Sequence, residues 1–125
     1  MKVLIIDDCK EDRDMAINYI EQFPGKKAQI DTSDSLRNGL LKLKGSTYDV
    51  ILLDLTLPES DGVDTVKNVI KQLKKDKKNI PIIVLTGTDD YSIGRKAWNL
   101  GIKDYLIKDE YDTKDISRAI AFATL

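Results

Sequence analysis

Five short apolar runs recur along the chain, and each is followed by a stretch in which apolar residues return at helical spacing. Val3 to Ile6 is the first run, followed by a stripe of Ala16, Ile20 and Phe23 that Pro24-Gly25 stops. Ala28 to Asp31 is a weaker, more polar run, read as a strand near a sheet edge. After it Leu36, Leu40 and Leu43 repeat before Gly45 ends the helix. Val50 to Leu53 is apolar throughout, and beyond its loop Val63, Val66, Ile70 and Leu73 mark a third helix that runs into the lysines from Lys74 to Lys78. Pro81 opens a fourth strand, Ile82 to Leu85, as proline does at a strand's first position. Ile93, Ala97 and Leu100 carry a fourth helix to Gly101. Tyr105 to Ile107 give a fifth strand, and Ile116, Ala119, Ile120 and Ala123 a fifth helix with Asp112 or Thr113 suited to its N-cap.

Such alternation is the pattern of βαβ units, so it implies an α/β fold with a parallel sheet, right-handed crossovers and helices on both faces. At 125 residues and 42% hydrophobic content, the chain has the size of one domain with one core, taken here as residues 1–125. No repeat or linker interrupts it.

Composition then removes whole classes of chemistry. Histidine is absent, which excludes Ser-His-Asp and Cys-His catalysis and most zinc sites. The single Cys9 cannot close an internal disulfide, and no apolar run reaches the roughly 18 to 20 residues of a membrane span. A cytoplasmic chain without membrane contact is the expectation. Twenty basic and twenty-one acidic residues give a net charge of -1, so no bulk field favours nucleic acid. The lysines from Lys71 to Lys78 have no interleaved aromatics and lie at a helix C-terminus, where they complement the dipole, so direct nucleic-acid binding is not expected.

Ligands of open parallel sheets sit outside the carboxyl ends of the strands. There the sequence places Asp7 and Asp8, Asp54, Thr86 and Lys108. Each has a plain reading as a turn, cap or solvated residue when taken singly. Gathered, the carboxylates repel one another by up to about 4 kcal/mol per pair at an effective dielectric near 20. A hard divalent cation such as magnesium compensates that repulsion, because it takes oxygen ligands and keeps waters that a phosphoryl oxygen can replace.

These residues resemble, in order, those of the response-regulator receiver domains of two-component signalling, the chemotaxis-regulator type of fold. The likeness is carried by Asp7-Asp8, Asp54 with Pro58 and Gly62, Thr86-Gly87, and Asp104-Tyr105-Leu106-Ile107-Lys108, and it covers essentially the whole chain. The resemblance implies a three-layer (βα)5 doubly wound sandwich with a five-stranded parallel sheet in the flavodoxin-like order 2-1-3-4-5. It implies that Asp54 accepts a phosphoryl group from a phosphohistidine on a sensor histidine kinase or a histidine phosphotransfer protein. Asp8 would bind magnesium directly, Asp7 through water, and the backbone carbonyl of Thr56 would complete the metal ligands with Asp54. Lys108 would grip the phosphoryl oxygens, Thr86 would sense them, and Tyr105 would change rotamer as the surface of the fourth helix, fifth strand and fifth helix is remodelled. That surface would meet a downstream output protein or module, or a second copy in a homodimer. The lifetime of the phosphoryl group would depend on positions such as Thr56 and Thr88.

The chemistry agrees with the inventory, because phosphoryl transfer needs positioning and charge neutralisation more than acid-base groups. Without histidine, the chain requires an external phosphodonor. One departure from the family pattern is Asp109, where receivers usually carry proline after a cis bond; a cis bond without proline costs about 2.5 to 4 kcal/mol, and both geometries stay open. Gly87, where alanine or serine is common, is a milder one. Two other readings remain: a receiver-like scaffold that is never phosphorylated, and a haloacid-dehalogenase-like phosphatase, which would need an acid where Thr56 stands. Trp98 is open to two uses, covering the rim of the core or lining a partner surface. Cys9, beside carboxylates that raise a thiol pKa, is read as inert.

Overall fold

All five apolar runs enter one parallel sheet. In the computed structural model, which describes residues 1–25, 27–87 and 89–125, β1 is Lys2–Ile6, β2 Gln29–Ser33, β3 Val50–Leu53, β4 Ile82–Thr86 and β5 Asp104–Ile107. The order is β2-β1-β3-β4-β5, with the polar β2 at an edge, as its sequence implies. Helices α1 (Lys10–Glu21), α2 (Leu36–Gly45), α3 (Val63–Lys75), α4 (Tyr91–Asn99) and α5 (Thr113–Ala123) occupy the crossovers.

Successive strand residues point to opposite faces, and both faces are covered. Leu4, Ile6, Ile51, Leu53 and Val84 share one core with Leu43, Val66, Val69 and Ala97 of α2, α3 and α4. Val3, Ile5, Val50, Leu52 and Ile83 share the other with Ala16 and Ile20 of α1 and Ile116 and Ile120 of α5. Double coverage explains why β3 reads as an unbroken apolar run instead of an alternating one. Each fully buried aliphatic side chain contributes about 1.5 to 3 kcal/mol, so the register of β3 between β1 and β4 is strongly fixed.

Helix termini are anchored in ways that steady the loops at the carboxyl end of the sheet. Asp112 and Asp115 form a reciprocal capping box at the start of α5, so the N-cap falls on Asp112. At α2, Ser35 accepts the Asn38 amide, and Glu59 reaches from the loop after β3 to accept the Leu36 and Arg37 amides at 3.2 and 2.9 Å. Gly39 on α2 lies so close to β1 that an added Cβ would sit 2.6 Å from Ile6 Cδ1.

Three details depart from expectation, were left open by it or were absent from it. Phe23 is not part of the α1 stripe: the helix ends at Glu21, and the Phe23 side chain is half exposed. Trp98 is also exposed, on the outer side of α4. A two-residue antiparallel ladder, Thr56–Leu57 against Ser60–Asp61, folds the loop after β3 back on itself before Gly62 enters α3 with φ 61°. Among the described residues, no helix is long and apolar enough to cross a membrane.

Candidate phosphoacceptor site

Strand register brings the two buried carboxylates together. Ile6 of β1 pairs with Leu53 of β3, so the residues that follow them, Asp7 and Asp54, leave the sheet side by side, and the Asp54 amide donates to the Ile6 carbonyl at 2.9 Å. On the far side, Thr86 of β4 pairs with Ile107 of β5, and the Lys108 amide donates to the Thr86 carbonyl at 2.8 Å. The Lys108 side chain reaches back over the sheet edge. Its Nζ lies 2.8 Å from Asp7 Oδ2, 3.0 Å from Asp12 Oδ2 and 3.0 Å from Asp54 Oδ2.

One carboxylate oxygen from each of Asp7, Asp8 and Asp54 lies within 4.8 Å of the other two. The predicted trio is therefore assembled, with Asp7 and Asp54 buried and Asp8 exposed at the mouth. Asp7 Oδ1 accepts the Cys9 amide at 2.9 Å, Arg13 donates to the Asp7 carbonyl at 2.8 Å, and the Thr56 amide donates to Asp54 Oδ1 at 3.2 Å. A set of hard oxygen donors, part buried and part open to water, fits a magnesium ion and does not fit a soft metal.

The carboxylates of Asp7, Asp8, Asp12 and Asp54 outnumber Lys108 and Arg13, the cations bonded there, and leave the site short of positive charge. Burial pushes the Asp7 carboxyl above the usual range, although the bonds from Lys108 and the Cys9 amide pull the other way. Burial alone would lower Lys108, but the bonds to Asp7, Asp12 and Asp54 outweigh it and hold the ammonium above the ordinary lysine range. Asp12 is likewise subject to upward pressure from burial, yet the Lys108 and Cys9 bonds leave it below the carboxylate range. At Cys9 the Asp12 amide would lower the thiol, but the bonds that the thiol donates to Asp12 and Glu11, with slight desolvation, raise it overall.

Thr86 is fully buried at the end of β4, on the side of Asp54 toward β5. Tyr105 is half buried on β5 and borders a groove of about 400 Å³ with Tyr91, Gly94, Arg95 and Trp98, which gives Trp98 a place on a surface cleft. Burial raises the Tyr105 hydroxyl, with the charges of Asp90, Asp89 and Asp54 adding to it. Thr56 begins the ladder after Asp54; Thr88 lies outside the described residues. The Lys108-Asp109 bond is trans, and the chain turns at Asp109, which adopts φ 68° while the Glu110 amide donates to the Ile107 carbonyl. Aspartate tolerates that left-handed conformation better than most residues.

Asp12 is the site residue that sequence reasoning missed. A search of strand ends alone passes over it, because it sits on the first turn of α1. Two signals were available: its acidic character at a helix N-terminus, and its spacing of one helical turn beyond Asp8.

Comparison with known proteins agrees with this geometry. The family model described as response regulator receiver domain matches residues 3–121. The cell cycle transcriptional regulator CtrA of Caulobacter vibrioides is 31% identical over 118 residues, covering 94% of this chain and 48% of that protein. The transcriptional regulatory protein ResD of Bacillus subtilis is 29% identical over 107 residues, covering 86% of this chain and 41% of its own length. The chain thus spans less than half the length of these relatives. A CheY-like receiver domain from Methanospirillum hungatei JF-1 superposes with a TM-score of 0.77 at 22% identity, covering 97% of this chain and 90% of that one. The signal receiver domain of an HD domain-containing protein from Pseudomonas fluorescens Pf-5 gives 0.80 at 22% identity, over 98% and 92%. These superpositions speak for the fold, and the family match spans the sheet and its acidic edge from β1 into α5. The chain belongs to the response regulator receiver domains of two-component signalling.

Proposed function

We propose that residues 1–125 form one receiver unit that accepts a phosphoryl group on Asp54 from a phosphohistidine of a sensor kinase or histidine phosphotransfer protein. The observation that carries this reading is the Asp54 carboxylate, buried beside Asp7 and Asp8 and held 3.0 Å from the Lys108 ammonium. An Asp54 carboxylate oxygen forms a bond to phosphorus while the phosphorus-nitrogen bond of the donor breaks, and the imidazole leaves with that electron pair. Later attack by water on phosphorus returns the carboxylate and releases inorganic phosphate. Beyond this transfer and its reversal by hydrolysis, the unit is a switch and turns over no other substrate.

Magnesium is held in this reading by Asp7, Asp8 and Asp54 with the Thr56 backbone carbonyl, and when bound it supplies positive charge next to the transferring group. Lys108 binds phosphoryl oxygens and orients the group, a role that its charge and three donors suit. Asp54 is kept in place by the Thr56 amide, and Leu53 and Leu55 on either side of it are almost fully buried, which limits water around it. Thr86 offers its hydroxyl to the new phosphoryl oxygens, and Tyr105 follows it by changing rotamer.

Readout in this account is a changed affinity of the α4-β5-α5 face, where Tyr91 and Trp98 are exposed beside Tyr105. The partner is an output protein, an output module of a longer chain, or a second copy of this unit. A modest energy gap suffices, because only differential affinity for two states is needed. The test is transfer from a phosphohistidine-loaded donor domain carrying radiolabelled phosphate. Label should pass to the natural chain in magnesium and not to Asp54→Asn; equal labelling of both would remove Asp54 from the role.

A further inference from the structure

Phosphoryl acceptance as set out above gives Asp12 no part, although Asp12 holds Lys108 as closely as Asp54 does. An ammonium has three N–H donors. Here all three are taken by carboxylates, those of Asp7, Asp12 and Asp54, at 2.8, 3.0 and 3.0 Å.

These partners are not equivalent. Asp7 and Asp54 belong to the trio whose oxygens lie within 4.8 Å of one another, so a divalent cation and Lys108 draw on the same two carboxylates. Asp12 stands outside that trio on the first turn of α1, with 29% of its side chain exposed against 3% and 5% for the other two. A cation that enters therefore takes two of the three partners of Lys108 and leaves the third. The helix N-terminus adds to the stability of the Asp12 carboxylate in that position.

Building on the phosphoacceptor reading, we propose that Asp12 is a positioning residue that keeps Lys108 at the rim of the site while a cation occupies Asp7 and Asp54. Asp12 lowers the cost of cation entry, because the displaced ammonium retains an anionic partner. It also keeps that ammonium within reach of an incoming phosphoryl group, with two N–H donors released for its oxygens. Without Asp12, Lys108 competes for Asp7 and Asp54 with its full charge and has no carboxylate to retire to.

The probe is magnesium alone, titrated into the full chain and followed by Trp98 fluorescence or calorimetry, with urea melts showing that each variant is folded. Asp12→Asn should weaken magnesium binding about fivefold, the upper range for a partly exposed ion pair, and Asp12→Glu should recover most of it. In a Lys108→Met background the same Asp12→Asn change should alter affinity by less than about twofold, since its effect passes through the ammonium. An equal loss in both backgrounds would mean that Asp12 acts on the cation directly and would overturn the proposal. So would unchanged affinity of Asp12→Asn in the natural background. A second readout is the nitrogen-15 signal of the Lys108 ammonium at saturating magnesium, which should stay protected in the natural chain and exchange rapidly in Asp12→Asn. Failure of the natural chain to bind magnesium at all would instead defeat the phosphoacceptor reading itself, together with this role.

Discussion

Replacing Lys108 with methionine removes the ammonium that pairs with the carboxylates of Asp7, Asp12 and Asp54 while keeping a side chain of similar length. Two of the three carboxylates it touches are almost wholly buried, with side chains 3% exposed for Asp7 and 5% for Asp54. At 2.8 to 3.0 Å, each contact is worth about 1.4 kcal/mol with a water-like dielectric and about 5.5 kcal/mol at an effective value of 20. The loss has a ceiling, because the site can instead take up a proton. Neutralising one aspartate at pH 7 lies about three pH units from its ordinary value, at about 1.36 kcal/mol each, so roughly 4 kcal/mol bounds the effect. Lys108→Met should therefore destabilise the metal-free chain by about 2 to 4 kcal/mol at pH 7. The sign of the pH dependence follows from Asp7, whose folded-state value is raised by burial, so ionised Asp7 costs stability as pH rises and the cost disappears as pH falls. The penalty should shrink from pH 7 toward pH 4, and millimolar magnesium should stabilise the variant more than the natural chain by replacing the missing charge. Urea melts with chelator or magnesium, at several pH values, measure all of this. A penalty that ignores both pH and magnesium would refute the charge argument and leave only packing as its cause.

Three further outcomes follow from contacts elsewhere in the fold. Gly39→Ala should cost about 1 to 3 kcal/mol in urea melts despite alanine's better helix propensity, because its Cβ would meet the fully buried Ile6 at 2.6 Å; a neutral or stabilising result would contradict the close approach of α2 to β1. Tyr48→Phe should lose about 1 to 2 kcal/mol with the 2.7 Å bond to Asp31. Because burial and Asp31 raise the Tyr48 hydroxyl to about 12, that stability is present below the ordinary tyrosine value and lost as pH rises toward 12, and the tyrosinate absorbance gained in that range should fall by one tyrosine's amplitude in the variant. Glu59 is held below the usual carboxylate range, first by the Arg37 amide, so its cap on α2 acts above that range and weakens as pH falls through it. Glu59→Gln should speed hydrogen exchange at Leu36 and Arg37 near neutrality and flatten its dependence on acid, and unchanged exchange would count against the cap.

Much of this architecture is legible in the chain because both faces of the sheet are covered. A strand such as Val50 to Leu53, apolar at every position, has few other places to go, and its polar neighbour β2 could be assigned to an edge. Asp7, Asp54, Thr86 and Lys108 were legible from position alone, since each stands at or just beyond the carboxyl end of a strand. Phe23 shows where periodicity misleads: spacing continues the stripe, but the helix stops two residues earlier and the ring faces water. The ladder from Thr56 to Asp61 was invisible because two-residue strands carry no period. Asp12 carries only weak local signals, its charge and its spacing from Asp8, and its tie to Lys108 across the sheet is a tertiary fact. The trans bond at Asp109 depended on a loop whose sequence allowed both isomers.

The central claim is that Asp54 is a magnesium-dependent phosphoacceptor, and intact-protein mass tests it most directly. The chain and its Asp54→Asn variant are incubated with acetyl phosphate, with and without magnesium, and weighed. The account predicts one base-labile phosphoryl adduct on the natural chain in magnesium and none on the variant or in chelator. A magnesium-bound natural chain that gains no adduct from acetyl phosphate or from a phosphohistidine donor would contradict it, and so would an adduct that persists in Asp54→Asn.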